Sequence, residues 1–244
     1  DFFWSCESTT LGLDDYSPGD ITATASGTPS LSTTKSRAGS SSVLIDSNSD
    51  NYTFDESGDI YTESGGCVAL SFNTSSNTMT GELIAIRGAG NVDWLQLNFS
   101  GTAGEVRCET RTFAYGRVRL ETSGLNYQPN TWYGVVFRYL VPPVSSTSGR
   151  LRLEIYDENN VLLHTTEDST VDYPAFPSTS LIDQIQVGDA GGLGGGSVYI
   201  DNVFISRNYY EPVQDFLDIS SIAYYGLRDK GHGPVFIRKP WTRQ

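Results

Sequence analysis

Residues 131–166 (TWYGVVFRYLVPPVSSTSGRLRLEIYDENNVLLHTT) confine this chain to antiparallel β structure. Val135, Phe137 and Tyr139 alternate with Val136, Arg138 and Leu140. Leu151, Leu153 and Ile155 then alternate with Arg152, Glu154 and Tyr156. A turn at Asp157-Glu158-Asn159-Asn160 reverses the chain, and residues 161–165 run back. Period-two alternation bounded by Pro, Gly, Ser and Asn is the pattern of half-buried strands. The spacing predicts the central meander of a β-sandwich.

Further strands are expected at 42–45, 52–55, 67–73, 81–87, 94–100, 105–112, 116–122, 182–187 and 198–206. Residues 1–8 read as a first strand, with Phe2, Trp4 and Cys6 on one side and Phe3 and Ser5 on the other. A structureless loop as long as 9–42 is unusual in a compact domain, so this stretch is expected to hide short strands such as 21–25. No window carries a helical stripe of helix length. One short helical turn is expected near 211–218, where Pro212 suits a first helical position. The run Gly191-Gly192-Leu193-Gly194-Gly195-Gly196 lacks the Lys-Ser/Thr of a phosphate loop and precedes a strand, so it reads as a hairpin loop. The expectation is a single all-β domain over residues 1–207, a two-sheet antiparallel β-sandwich, with a C-terminal arm over 208–244.

Charge narrows the function classes. A net charge of −13 opposes nucleic-acid binding, which calls for a concentrated basic face. The end of the chain differs: Arg228, Lys230, Arg238, Lys239 and Arg243 stand against Asp229 alone, a balance of +4 that leaves −17 on residues 1–226. Such asymmetry between body and tail points to an interaction segment. No apolar run is long enough to span a bilayer. The chain begins without an initiating Met, which leaves both a removed leader and a fragment open. Cys6, Cys67 and Cys108 form an odd set, and both a Cys67–Cys108 pair and three free thiols stay open. Few lysines and abundant Ser, Thr, Asn and Gly suggest an extracellular or surface-exposed protein.

Four stretches together resemble the concanavalin A-like lectin/glucanase superfamily, including its LamG-type and laminarinase-like jelly-roll modules. They are Phe3-Trp-Ser-Cys-Glu7 with Leu13-Asp14, residues 113–121 (FAYGRVRLE), the meander from Asn130 through Leu162, and residues 198–205 (VYIDNVFI). The resemblance covers about residues 2–206 and implies a jelly roll. It also implies that a hydrolase of this type would carry its paired carboxylates between the Tyr-Gly-Arg strand and the Trp strand. Here that interval, residues 122–130 (TSGLNYQPN), holds no Asp or Glu. Glu154 and Glu158 imitate such a pair on the wrong strand and read as a solvated hairpin end. Gln184-Ile185-Gln186 is similar to the Gln-Ile-His of polysaccharide lyases with the His replaced, and His164 and His232 are the only histidines. Catalysis is therefore not expected.

A sugar-binding surface is expected instead, built from aromatic faces and orienting polar groups. Its candidates are Tyr115, Arg117, Arg119, Tyr127, Trp132 and Tyr133, with Trp94 and Trp132, which begin strands, also weighed as core. Outward residues Arg107, Glu109, Arg111, Arg117, Arg119 and Glu121 are expected to form a cross-strand charge ladder. The resemblance implies a structural calcium ion, held by Glu7 on the first strand and Asp201 on the last. Asp46-Ser-Asn-Ser-Asp50 imitates an EF-hand start but lacks its Gly and its final Glu. The leading expectation is thus a non-catalytic module binding a glycan or cell-surface polymer. The alternative is a structural subunit of a virion surface or extracellular filament. It would be a homo-oligomer assembled through Arg228, Lys230, Val235, Phe236, Arg238, Lys239, Trp241 and Arg243. A glycan-degrading glucanase or lyase is the third reading.

Overall fold

The computed structural model describes residues 2–6, 23–47, 49–60, 65–88, 92–102, 104–112, 116–140, 149–171, 182–188 and 196–206. These form strands β1 (Phe2–Trp4), β2 (Thr24–Ser26), β3 (Ser30–Ser32), β4 (Ser42–Ile45) and β5 (Asn51–Ile60). β6 (Gly65–Thr74), β7 (Thr80–Gly88), β8 (Val92–Ser100), β9 (Val106–Thr112) and β10 (Gly116–Glu121) follow. The last are β11 (Trp132–Leu140), β12 (Gly149–Tyr156), β13 (Leu162–Val171), β14 (Ile182–Val187) and β15 (Val198–Ser206). The described residues hold no helix. The expected turn at 211–218, the glycine run up to Gly195 and the arm 208–244 lie outside them.

Every pairing is antiparallel, in two sheets. One sheet runs β13-β12-β11-β6-β15-β4-β3, with β1 also on β15; the other runs β10-β9-β8-β7-β14-β5-β2. This is the expected all-β sandwich. Alternation decides which side chains enter it. On β11 and β12, Val135, Phe137, Tyr139, Leu151, Leu153 and Ile155 join the shared core, and on the facing sheet Ile84, Ile86, Leu95, Leu97, Phe99, Ile185 and Val187 meet them. Phe2, Trp4 and Cys6 also point inward, as their alternation predicts. Trp4 stands edge-on to Phe54 at 4.8 Å and to Tyr52 at 5.6 Å. Phe72 holds a second aromatic group at the other end, with Phe99, Tyr127 and Tyr133 within 5.7 Å of its ring. Edge-to-face rings add about 0.5–1.5 kcal/mol per pair beyond their buried area.

Three expectations need correction. The meander β11-β12-β13 pairs in the predicted order but lies at one margin of its sheet, because β6 and β15 come in beside β11 and leave β13 at the edge. The short strand expected at 21–25 is β2, shifted to Thr24–Ser26 by its pairing with Asn51–Thr53 of β5. Glu154 is not solvated. It is buried with Arg138, whose Nε donates to its Oε2 at 2.9 Å, and Arg152 approaches its other oxygen at 2.8 Å.

Candidate functional site

The seven-stranded sheet turns a polar face away from the core. Leu95, Leu97 and Phe99 of β8 point inward, so Gln96 and Asn98 between them point out. Directly opposed residues share a face, and the register extends this one across the sheet. Gln186 opposes Thr53 and Ala85, Ala85 opposes Gln96, Gln96 opposes Glu109, and Glu109 opposes Arg119. A second row joins Glu82, Asn98, Arg107 and Glu121. A third joins Asp55, Gln184, Arg87 and Asp93.

The third row is wired side to side. Gln184 Nε2 donates to Asp55 Oδ1 at 3.0 Å, Arg87 Nη1 donates to Gln184 Oε1 at 3.3 Å, and Arg87 Nε donates to Asp93 Oδ1 at 2.7 Å. Arg87 also donates to Gln186 Oε1 and lies 3.8 Å from Glu82, which accepts from Gln96. At about 4.8 Å between strands, this row extends roughly 14 Å over four of them. Asp55 is exposed and Gln184 half-buried, while Arg87 and Asp93 keep 16% and 24% of their side-chain surface open. The row offers fixed donors and acceptors together at a solvent boundary.

The predicted site residues divide. Arg119 stands exposed on this face, against Glu109 across the strand and bonded to Glu121 along it. The expected ladder holds in register at Arg119–Glu109 and Glu121–Arg107, whereas Arg117 opposes Arg111. Tyr127 and Tyr133 are corrected: both are core residues, 1% and 6% exposed, because their rings close the group around Phe72. Trp132 is half-buried at the start of β11, on the other sheet. Trp94 is core, over Gly88, where a Cβ would collide with its ring. Tyr115, Glu7 and the arm residues Arg228, Lys230, Val235, Phe236, Arg238, Lys239, Trp241 and Arg243 lie outside the described residues. Sequence reasoning missed Asp55, Arg87, Asp93 and Gln184 as one group. Only Gln184 and Gln186 drew notice, because the row is made by strands distant in sequence.

Asp201 is fully buried in the other sheet. Its Oδ2 accepts the backbone N–H of Arg37 at 2.7 Å and of Ala38 at 3.1 Å, and its Oδ1 accepts that of Asn202 at 2.9 Å. A calcium shell presents oxygen acceptors to the ion; here N–H donors face the carboxylate. Asp201 is thus engaged by N–H donors, Glu7 lies outside the described residues, and among these no three His, Cys, Asp or Glu come together as a ligand group. Asp201 instead ties residues 33–40 across its sheet. Asp50 does comparable work at the EF-hand imitation, its Oδ1 accepting the Thr28 N–H at 2.7 Å.

Three of the described tyrosines hold their protons tightly. Burial pushes the hydroxyls of Tyr52 and Tyr127 up, and burial followed by the neighbouring Glu154 carboxylate pushes Tyr156 up to about 12. The cysteines are free and buried, with Cys67 and Cys108 in opposite sheets.

No family model and no curated protein sequence matches the chain. Solved structures do. The receptor binding domain of botulinum neurotoxin mosaic serotype C/D is 12% identical at a TM-score of 0.57, over 91% of this chain and 52% of that one. The ligand binding domain of botulinum neurotoxin serotype D, solved in complex with N-acetylneuraminic acid, is 12% identical at 0.55, over 80% and 44%. The PL-14 alginate lyase from Aplysia kurodai is 11% identical at 0.51, over 72% and 86%. The likeness is one of fold. The chain spans about half the length of the toxin domains it matches, and its sandwich is of the jelly-roll type found in those toxin domains and in the lyase. No helix among the described residues is long and apolar enough to cross a membrane.

Proposed function

We propose that this chain is a non-catalytic, extracellular sugar-binding β-sandwich of the LamG/concanavalin A-like kind, and that its glycan lies along the row Asp55–Gln184–Arg87–Asp93. The observation that carries this reading is the wiring of the row. Hydroxyl-rich ligands are oriented by a few fixed polar groups, and groups already held by one another lose little entropy on binding. Arg119 and Glu121 add polar groups at the β10 edge, beyond Gln96 and Asn98, which are buried. Support for binding over hydrolysis comes from residues 122–130, which hold no acid. Asp55, Glu82 and Asp93 outnumber Arg87 around the row, so the ligand is a neutral glycan rather than a carboxylated one.

Glycan-array screening followed by titration tests this. Neutral oligosaccharides should bind, and Gln184→Ala and Asp55→Ala should each weaken binding about ten-fold, a loss of about 1.4 kcal/mol, with melting unchanged. An array without ligands, or a ligand whose affinity neither variant alters, overturns the reading. Turnover of a bound polysaccharide into shorter or unsaturated products would replace it with the enzymatic one.

A further inference from the structure

Val161, Leu162 and Leu163 are the large apolar side chains that stand exposed among the described residues, at 56%, 42% and 49% of their surface. Exposed apolar residues scattered singly are ordinary, whereas a contiguous group marks a contact surface. The hairpin tip bearing them is held in place from both sides. Asp157 Oδ1 accepts the N–H groups of Asn159 and Val161, each at 2.8 Å, and Asn160 adopts a φ of 61°. Arg37 Nη2 donates to the carbonyls of Asp157 and Glu158 and to Asn160 Oδ1. The triplet is therefore presented on a braced turn. Among the described residues β13 pairs with β12 alone, leaving an edge of the sheet beside it. Further along, β13 carries Glu167 and Asp168, charges of the kind that protect an edge from indiscriminate pairing. The window is residues 161–165, an exposed apolar triplet followed by His164 and Thr165.

We propose that this window is a docking edge for a second copy of the same chain, which lays its residues 235–239 (Val-Phe-Ile-Arg-Lys) along it as an added strand. Main-chain bonds supply affinity and side chains supply register in such strand addition. The tail matches the window in length and in kind. Pro234 and Pro240 bracket five residues, and proline is tolerated in a sheet only at such ends or on an edge. Val235-Phe236-Ile237 faces Val161-Leu162-Leu163 when the strands run parallel, which sets Arg238 opposite His164 and Lys239 opposite Thr165, two residues short of Glu167, itself paired with Arg150 at 3.0 Å. The wider charge agrees, a +4 tail against a −17 body, and opposite charge steers such contacts. Residues 207–234 extend up to about 3.3 Å each, enough to cross between copies. Each copy offers one edge and one tail, so the contact is head-to-tail and closes as a ring or grows as a filament. It is independent of the polar row on the opposite sheet.

Sedimentation velocity on the full chain tests this with two surface variants, Leu163→Asp in the edge and the pair Arg238→Glu, Lys239→Glu in the tail. The unaltered chain should associate with rising concentration at low salt and dissociate at high salt. Each variant alone should be monomeric with an unchanged melting temperature, and Leu163→Ser should repeat the result of Leu163→Asp. Mixing the two variants should restore one-to-one dimers, because one brings an intact tail and the other an intact edge. A chain monomeric at every concentration overturns the proposal. So does association that survives the tail variant, which would mean edge-to-edge pairing, or a mixture that stays monomeric, which would mean the tail does not pass between copies.

Discussion

Tyr156 illustrates how one side chain acquires a property its type does not carry. It closes β12 on the outer face of its sheet, buried, with Glu154 two residues back on the same face. Desolvation disfavours the phenolate and the adjacent carboxylate repels it, so the hydroxyl rises from 10.0 to about 12. The folded chain thus holds this proton more tightly than the unfolded chain. Its contribution to stability is complete below pH 10 and is lost as pH climbs through 12. The denaturation midpoint of the unaltered chain should therefore fall more steeply between those values than that of Tyr156→Phe, as followed by urea titration. Tyr127 and Tyr133 make the complementary point. Each looked like a stacking platform in the sequence, and each is used to fill space around Phe72.

Elements in this fold are joined by single side chains as well as by ladders. Asp201 sits where β15 breaks register against β6, with Asn202 beside it at a φ of 53°. The break frees the carboxylate to take the N–H groups of Arg37 and Ala38, fastening residues 33–40 over the sheet. Hydrogen bonds to a charged group are worth about 1.5–3 kcal/mol each. Asp201→Ala should cost about 3 kcal/mol in urea unfolding and speed amide exchange at Arg37 and Ala38 ahead of the rest of the chain. Uniform acceleration everywhere would instead mean global destabilisation without a local tie. The same segment carries Lys35, whose Nζ donates to Asn73 Oδ1 at 3.0 Å and Asn130 Oδ1 at 2.8 Å and stands 4.8 Å from the Tyr199 ring centre. Residues 33–40 are thus fixed to β6, β15 and the turn before β11.

At the scale of the whole molecule, the two sheets enclose one continuous core that reaches from Phe2 and Trp4 to Tyr127 and Tyr133. Cys6 and Cys108 belong to it, and Cys67 is buried on the outer side of β6 opposite Arg138. Burial, with the negative charge of Glu109 adding to it, raises the Cys108 thiol well above its ordinary value. Thiolate is the reactive form. A thiol-reactive chromogen at pH 8 should therefore find none of the three cysteines in the folded chain and all three in denaturant. Rapid labelling of any of them before unfolding would mean that the sandwich opens locally at that strand.

The strand content was legible because alternation is a local property: β4, β14 and β15 begin and end where the sequence places them, and the order β11-β12-β13 follows from its turn chemistry. The inward side of β1 was legible for the same reason. Which strands become neighbours was not, since β5, β14, β7 and β8 are brought together by hydrophobic closure of the whole sandwich. The row Asp55–Gln184–Arg87–Asp93 exists only through that closure. Its members are unremarkable residues until distant strands set their side chains within hydrogen-bonding distance. Period-two patterning by itself determined that this chain forms strands and which of their faces are apolar. Only the tertiary structure decided the meander's place at the sheet margin, the burial of Glu154 and the edge beside Val161–Leu163, because neighbours in a sheet are chosen by nonlocal packing.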